Sequence, residues 1–355
     1  MSDERDMTPA LGHPASPAFG TDTGEAVPLQ RDDWGDGAWS YLYGDDTAYK
    51  GAKPGEGEMP PLDVVGRGMM KAPVWTWEVP LYFWFGGIAS GSAFVALACD
   101  LAGDHKGART ARLVSLAALG PCPPLLIMDL GRPARFLNML RVFKTRSPMS
   151  MGAWALSVFG GIGSAAVAAD LLGQEKAART IGAANAVVGG YLGSYTGVLL
   201  ASTAVPVWAR SRLFLGPIFV STATATGAAA VRLACIDAPE STRRALGQVQ
   251  AVAMATELTL SHINEHRLGR HDAHGKKMSW AKRLVNAGLL AQATKRTGPL
   301  PSLLYLAAGL LFRYAWVEAG PRSARDDRSV AEMSRSKKRP LEGVSPGSAS
   351  SSSRP

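Results

Sequence analysis

The sequence predicts an all-α protein: a polytopic bundle of about eight transmembrane helices, the seventh of them weak, between two polar tails. Three observations predict it. Runs of mostly apolar residues with few or no charges recur through the middle of the chain, at or near the roughly 20 residues a helix needs to cross the hydrocarbon core. Lysine and arginine gather in the gaps between those runs. Glycines recur four residues apart inside them (Gly87 and Gly91; Gly189, Gly193 and Gly197), the spacing that lets helix backbones approach closely in lipid.

A mean hydropathy of +0.02 hides this pattern, because the ends differ from the middle. Residues 1–66 hold thirteen acids against four bases, a net of about −9, so the remaining residues carry about +18 of the chain's total of +9. This acidic stretch is rich in Gly, Pro, Asp and Ser and cannot bury a core, which predicts a disordered tail. Residues 323–355 are polar, basic and Ser-rich and predict a second one. Residues 67–322 are the expected transmembrane domain. Residues 1–30 show no basic region followed by an apolar run, so insertion is expected to start at the first hydrophobic helix.

The expected spans come in this order. Residues 79–99 carry a single charge-free apolar run. Residues 113–128 are shorter and hold Pro121, Pro123 and Pro124, which predicts a kinked helix. Residues 147–169, 180–209 and 213–231 follow as uncharged stretches. Residues 245–261 span with one acid inside, Glu257. Residues 280–293 are the weak member, short and carrying Lys282 and Arg283. The last runs from 298 through Arg313 to Trp316 and spans if Arg313 snorkels to the surface.

Orientation follows from the loops. Arg132, Arg135, Arg141, Lys144 and Arg146 fill one loop, and residues 267–283 are also basic. Both lie on the side of the N-terminus, which places that end in the cytoplasm. The basic C-terminus joins them only if the weak helix spans. Basic residues so placed fit anionic lipid and give no reason to expect nucleic acid.

Cys99, Cys122 and Cys235 sit singly in apolar stretches without metal-ligand spacing, so they read as packing residues, and any iron–sulfur cluster belongs to another chain. Of the six histidines only His262 and His266 lie near a span, both on one helix, so no haem is expected. His262, Glu265 and His266 match the His-x-x-Glu-His pattern of some zinc peptidases, but they lack a third ligand and read as a polar helix end. In the N-terminal tail Trp34, Trp39, Tyr41, Tyr43 and Tyr49 stand among acids and glycines, as in a segment that folds on a partner.

The most distinctive stretch is DLGRPARFLNMLRVFKTRSPMSMGAW, from Asp129 to Trp154. With it go the opening helix from Trp77 to Gly91, the Tyr195-Thr196-Gly197 run, and the ending from Leu311 to Gly320. Over residues 70–320 the chain resembles the NrfD/polysulfide-reductase membrane-subunit family. That resemblance implies a quinone-interacting membrane anchor of a respiratory complex in the inner membrane. It would bind menaquinone or ubiquinone and exchange electrons with a ferredoxin-like iron–sulfur subunit. That subunit in turn serves a catalytic subunit, often a molybdopterin enzyme such as formate dehydrogenase or a polysulfide, thiosulfate or nitrite reductase. No haem or cluster of its own is implied.

A quinone site needs a flat apolar slot, donors to two carbonyl oxygens and a proton route. Tyr195, at the family's tyrosine position and on one helix face with Tyr191, is the candidate donor. Asp129 and Arg132, three apart, are a candidate pair beside the quinone, and Trp154 a candidate wall. Acids at membrane depth are functional suspects. Glu257, Asp129 and Glu78 are therefore the candidates for proton handling, with Arg232 as a possible partner of Glu257 and Asp100 at the membrane surface. Two other readings compete: an ion or solute transporter using Glu257 and Asp129, and a structural anchor without a quinone site. No internal repeat is visible in the sequence.

Overall fold

The computed structural model describes residues 70–130, 140–141, 143–145, 147–271, 273–294 and 298–336, and every regular element among them is helical. Five segments are long and apolar enough to cross a membrane. They are α1 (Glu78–Leu101), α2 and α3 taken together (His105–Leu130), α4 (Pro148–Leu171), α7 (Arg212–Ala234) and α10 (Leu300–Ala324). Three more helices pack among them as equals: α5 (Glu175–Ala201), α8 (Glu240–Leu268) and α9 (Gly275–Ala293). The shortest, α9, has 19 residues and so extends about 28 Å at 1.5 Å per residue, close to the hydrocarbon thickness. The cations that weaken α9 in the sequence have partners: Lys282 pairs with Glu265 of α8, and Arg283 lies over the Trp280 ring at 5.0 Å.

Local chemistry sets the boundaries. The second span breaks where the prolines fall: α2 (His105–Leu119) ends before Gly120 and Pro121, and α3 (Cys122–Leu130) restarts beyond them. The 180–209 run is not one helix. α5 stops at Ala201, and a short α6 (Pro206–Arg210) begins at Pro206, because a residue before proline is pushed out of the helical region. α2 begins at Asp104, whose carboxylate accepts from the Gly107 N–H at 2.9 Å and from the Thr242 hydroxyl of α8 at 2.8 Å. α4 begins at Ser147 with Pro148 in the first helical position. Gly103 and Gly173 take positive φ after α1 and α4, where a side chain would be strained.

The expected C-terminal tail is helical through Ser336. α10 runs to Ala324 and α11 covers Asp327–Ser336. Asp326 accepts from the Ser329 hydroxyl at 2.6 Å, and that bond above all holds its carboxyl below the ordinary aspartate value. Val330 and Ala331 are buried, and His271 reaches Glu332 and Ser329. A capped first turn and this apolar contact outweigh the polar composition. Residues 1–69 and 337–355, with the aromatics of the N-terminal tail, lie outside the described residues.

The eight long segments form two rings of four. In the first, α1 packs on α2, α2 on α4, α4 on α5 and α5 back on α1. In the second, α7 packs on α8, α8 on α9, α9 on α10 and α10 back on α7. In both, the chain visits the four segments in ring order, a likeness of architecture that the sequence does not display. The rings meet where α1 crosses α7. A side chain on Gly91 would run into the Ala223 backbone, and one on Gly227 into the backbone of Gly91 and Ser92. Glycine is required at both positions because the opposing atoms are backbone and cannot yield.

Candidate functional site

Where α1, α3, α4 and α5 converge, on the side that holds the start of α1 and the loop before α4, the first ring borders a partly open cavity, about 620 Å³ with its open space included. Its walls are mainly apolar: Val79, Tyr82 and Phe83 from α1, Leu125 and Leu126 from α3, and Met149, Gly152 and Ala153 from α4. Trp75, in the extended segment before α1, closes one end, with its ring stacked on Trp208 at 5.0 Å. Tyr195 and Leu199 of α5 form the back. Three groups bring chemistry to this slot: the phenols of Tyr82 and Tyr195 and the carboxyl of Asp129.

Tyr195 is buried, and its hydroxyl donates to the Pro148 carbonyl oxygen at the start of α4. Gly152 is required opposite it, because a Cβ there would enter the phenol ring. Tyr191, one turn earlier, stacks on Tyr195 at 5.8 Å but points outward, 44% exposed, so the shared face does not turn wholly inward. A phenol has one proton to donate. Tyr195 can give it to a ligand only by releasing Pro148.

Asp129 lies in the last turn of α3 at the cavity edge. Glu78, in the first turn of α1, accepts from the Thr76 hydroxyl and lies near enough for the two carboxyls to repel. Tyr195 and Asp129 therefore line one cavity, and Glu78 stands near Asp129 without lining it. Trp154 does not line the cavity; it packs edge-on against Phe143 at 5.7 Å. Arg132, the expected partner of Asp129, lies outside the described residues.

Glu257 is elsewhere, buried inside the second ring, where it accepts from Ser261 at 2.7 Å. The expected pairing with Arg232 is not formed. Arg232 instead donates to Ser302, toward the opposite membrane face. Arg313 does not snorkel. It is 1% exposed, and its guanidinium lies 4.1 Å over the Phe219 ring and donates to the Phe219 carbonyl at 3.2 Å. The reason is the small residues around it: Gly87 leaves room for a guanidinium that a longer side chain would exclude.

Asp100, read as interfacial, is also buried. Arg112 donates to it at 2.6 Å and grips Asp170 through two nitrogens at 2.5 and 2.8 Å. A signal for this cluster was present in the sequence: both acids begin an Asp-Leu-x-Gly run that ends a helix, at 100–103 and 170–173. Trp75 and Tyr82 are the site-forming residues that sequence reasoning passed over: Trp75 precedes the first span, and Tyr82 stands among the other aromatics of the opening helix. Cys99, Cys122 and Cys235 are free and buried. Among the described residues no group of three His, Cys, Asp or Glu could hold a metal, and Glu265 of the His-x-x-Glu-His run is taken by Lys282.

A bundle with five segments long and apolar enough to cross a membrane, and a mainly apolar slot bearing two phenols and a carboxyl, defines a multi-pass membrane protein. The chain belongs to the NrfD family: the family model described as polysulphide reductase, NrfD, matches residues 66–291, from before α1 through nearly all of α9. No curated protein matches the chain. Membership makes it a membrane subunit of a quinone-linked oxidoreductase complex.

Proposed function

We propose that the cavity of the first ring is the quinone site, and that this chain exchanges electrons between the membrane quinone pool and an iron–sulfur partner subunit of a respiratory complex. The observation that carries the proposal is the meeting of Tyr195 and Asp129 on one apolar slot at the end of the ring. Trp75, Phe83 and Leu126 would hold a quinone ring by its faces, and the apolar walls keep water from it. Menaquinone or ubiquinone supplies two-electron, two-proton chemistry when bound. Asp129, with Glu78 beside it at the surface, is placed to hold a proton and pass it to water. Tyr195 sets the back wall and orients through its hydroxyl. The catalytic partner, of which a molybdopterin enzyme such as formate dehydrogenase or polysulfide or nitrite reductase is the expected kind, would act beyond the iron–sulfur subunit. The basic loop between α3 and α4 supports an N-terminal side in the cytoplasm of an inner membrane.

The test is purification of the complex from membranes with its quinone content and turnover measured, beside Asp129→Asn and Leu126→Trp. Quinone bound in the wild type, turnover reduced in the first variant and quinone lost in the second are expected. A complex that carries no quinone and turns none over would end the proposal. A second reading has one observation in its favour: the repeated ring and the proline-broken second span are features that transporters share. Solute uptake without a redox partner would select it.

A further inference from the structure

The second ring holds chemistry that the cavity of the first does not use. α8 buries Glu257, Ser261 and Asn264 on one face, at three- and four-residue spacing. From Glu257 to the end of α8 at Leu268 is eleven residues, about 16 Å, which sets the carboxyl near the middle of a bilayer. Ser261 donates to Glu257 at 2.7 Å, and one turn further on Asn264 donates to Ser211 at 3.0 Å, at the start of α7. These groups form a polar line from mid-membrane to the face where α8 turns into α9. In the other direction the line stops: Met254 is buried and apolar, and separates Glu257 from the Gln250, Gln292 and Ser302 cluster.

Glu257 also borders a cavity of about 220 Å³, together with Thr222 of α7 and Lys282 of α9. The charged groups around it are Lys282 with its partner Glu265, and Arg313 from α10; α7 contributes only hydroxyls. Among the described residues no ion pair joins Glu257 to either cation, and the Arg313 Nη1 is buried without a hydrogen-bond partner. Glu257 and Lys282 line this space without an ion pair between them, and the rest of its lining is mainly apolar, the setting in which a buried carboxyl is neutralised by a proton rather than by a cation.

We infer that the second ring carries a proton site: Glu257 binds and releases a proton near the bilayer middle, connected by Ser261 and Asn264 to the membrane face at the α8–α9 turn and closed from the other face. Uptake forms an O–H bond on the carboxylate and leaves water where hydronium was; release reverses both, and no oxidant or reductant takes part. The inference goes beyond the quinone reading and does not depend on it.

The experiment uses the full chain in its native membranes and dicyclohexylcarbodiimide, which enters lipid and adds to protonated carboxyls. Peptide mass analysis should find the adduct on Glu257, with a yield that falls several-fold as the medium is raised from about pH 6 to about pH 9. The adduct should be lost in Glu257→Gln and kept in Glu257→Asp. No adduct on Glu257 at any pH in the folded wild-type chain, or a yield indifferent to pH, would overturn the inference. Either result leaves quinone content, measured separately, untouched, so failure of this site and failure of the quinone site are told apart.

Discussion

Tyr195→Phe separates a wall from a donor. The substitution keeps the ring, and with it the stack on Tyr191 and the contact at Gly152, and removes one hydroxyl. In the free protein that hydroxyl donates to the Pro148 carbonyl. Pro148 is the first residue of α4, so its carbonyl also lies in the helical ladder, one residue after the Ser147 carbonyl that accepts from the Met151 N–H, and is not left bare. The loss is therefore at the ordinary level for one neutral hydrogen bond, about 1 kcal/mol. On a domain of this size that lowers Tm by roughly 2–4 °C, and the complex should still assemble. If the hydroxyl turns from Pro148 to a quinone oxygen, the variant also loses a ligand bond of about 0.5–1.5 kcal/mol, which is roughly a 2- to 12-fold weaker quinone affinity. The assay is a quinone titration of turnover on the purified complex, with thermal unfolding recorded in the same detergent. An unchanged titration beside a small fall in Tm would refute the reasoning and leave Tyr195 as a strut between α5 and α4.

Gly91→Val should loosen the contact between the rings at a cost at or above the roughly 3 kcal/mol of severe overpacking, because its Cβ meets the Ala223 backbone. Gly190→Ala, with nothing within 4 Å, is the matched control, and equal yields of folded protein from both in detergent would count against the crossing described. Arg112→Met should cost about 3–5 kcal/mol, since it leaves Asp100 and Asp170 buried at 2% and 7% side-chain exposure without their main cation. Adding Asp100→Asn and Asp170→Asn should return much of that stability in a thermal melt. A triple variant no better than the single one would mean that the cluster does not act as a unit.

The sequence determined five bilayer-crossing segments, because an apolar run of that length has few other places to go and its period needs no partner to be read. It determined the break at Pro121 and the family, carried by the loop from Asp129 to Trp154. It also singled out Tyr195, Asp129, Glu78 and Glu257, because acids and phenols inside apolar helices stand out against their surroundings. What it could not supply was which of these meet. Charge along the chain does not say which face a helix turns inward. Arg313 looked able to reach the surface and is instead seated over Phe219, and Asp100 looked interfacial and is gripped by Arg112. Only the packing of α3 and α5 against α1 put Tyr195 and Asp129 on one cavity and left Trp154 off it, and only the packing of α8 among α7, α9 and α10 closed Glu257 into the other ring. The physical reason is that contacts between helices far apart in the chain depend on shape, such as the space at Gly87, Gly91 and Gly152, and such spaces come into being only when the partners are in place.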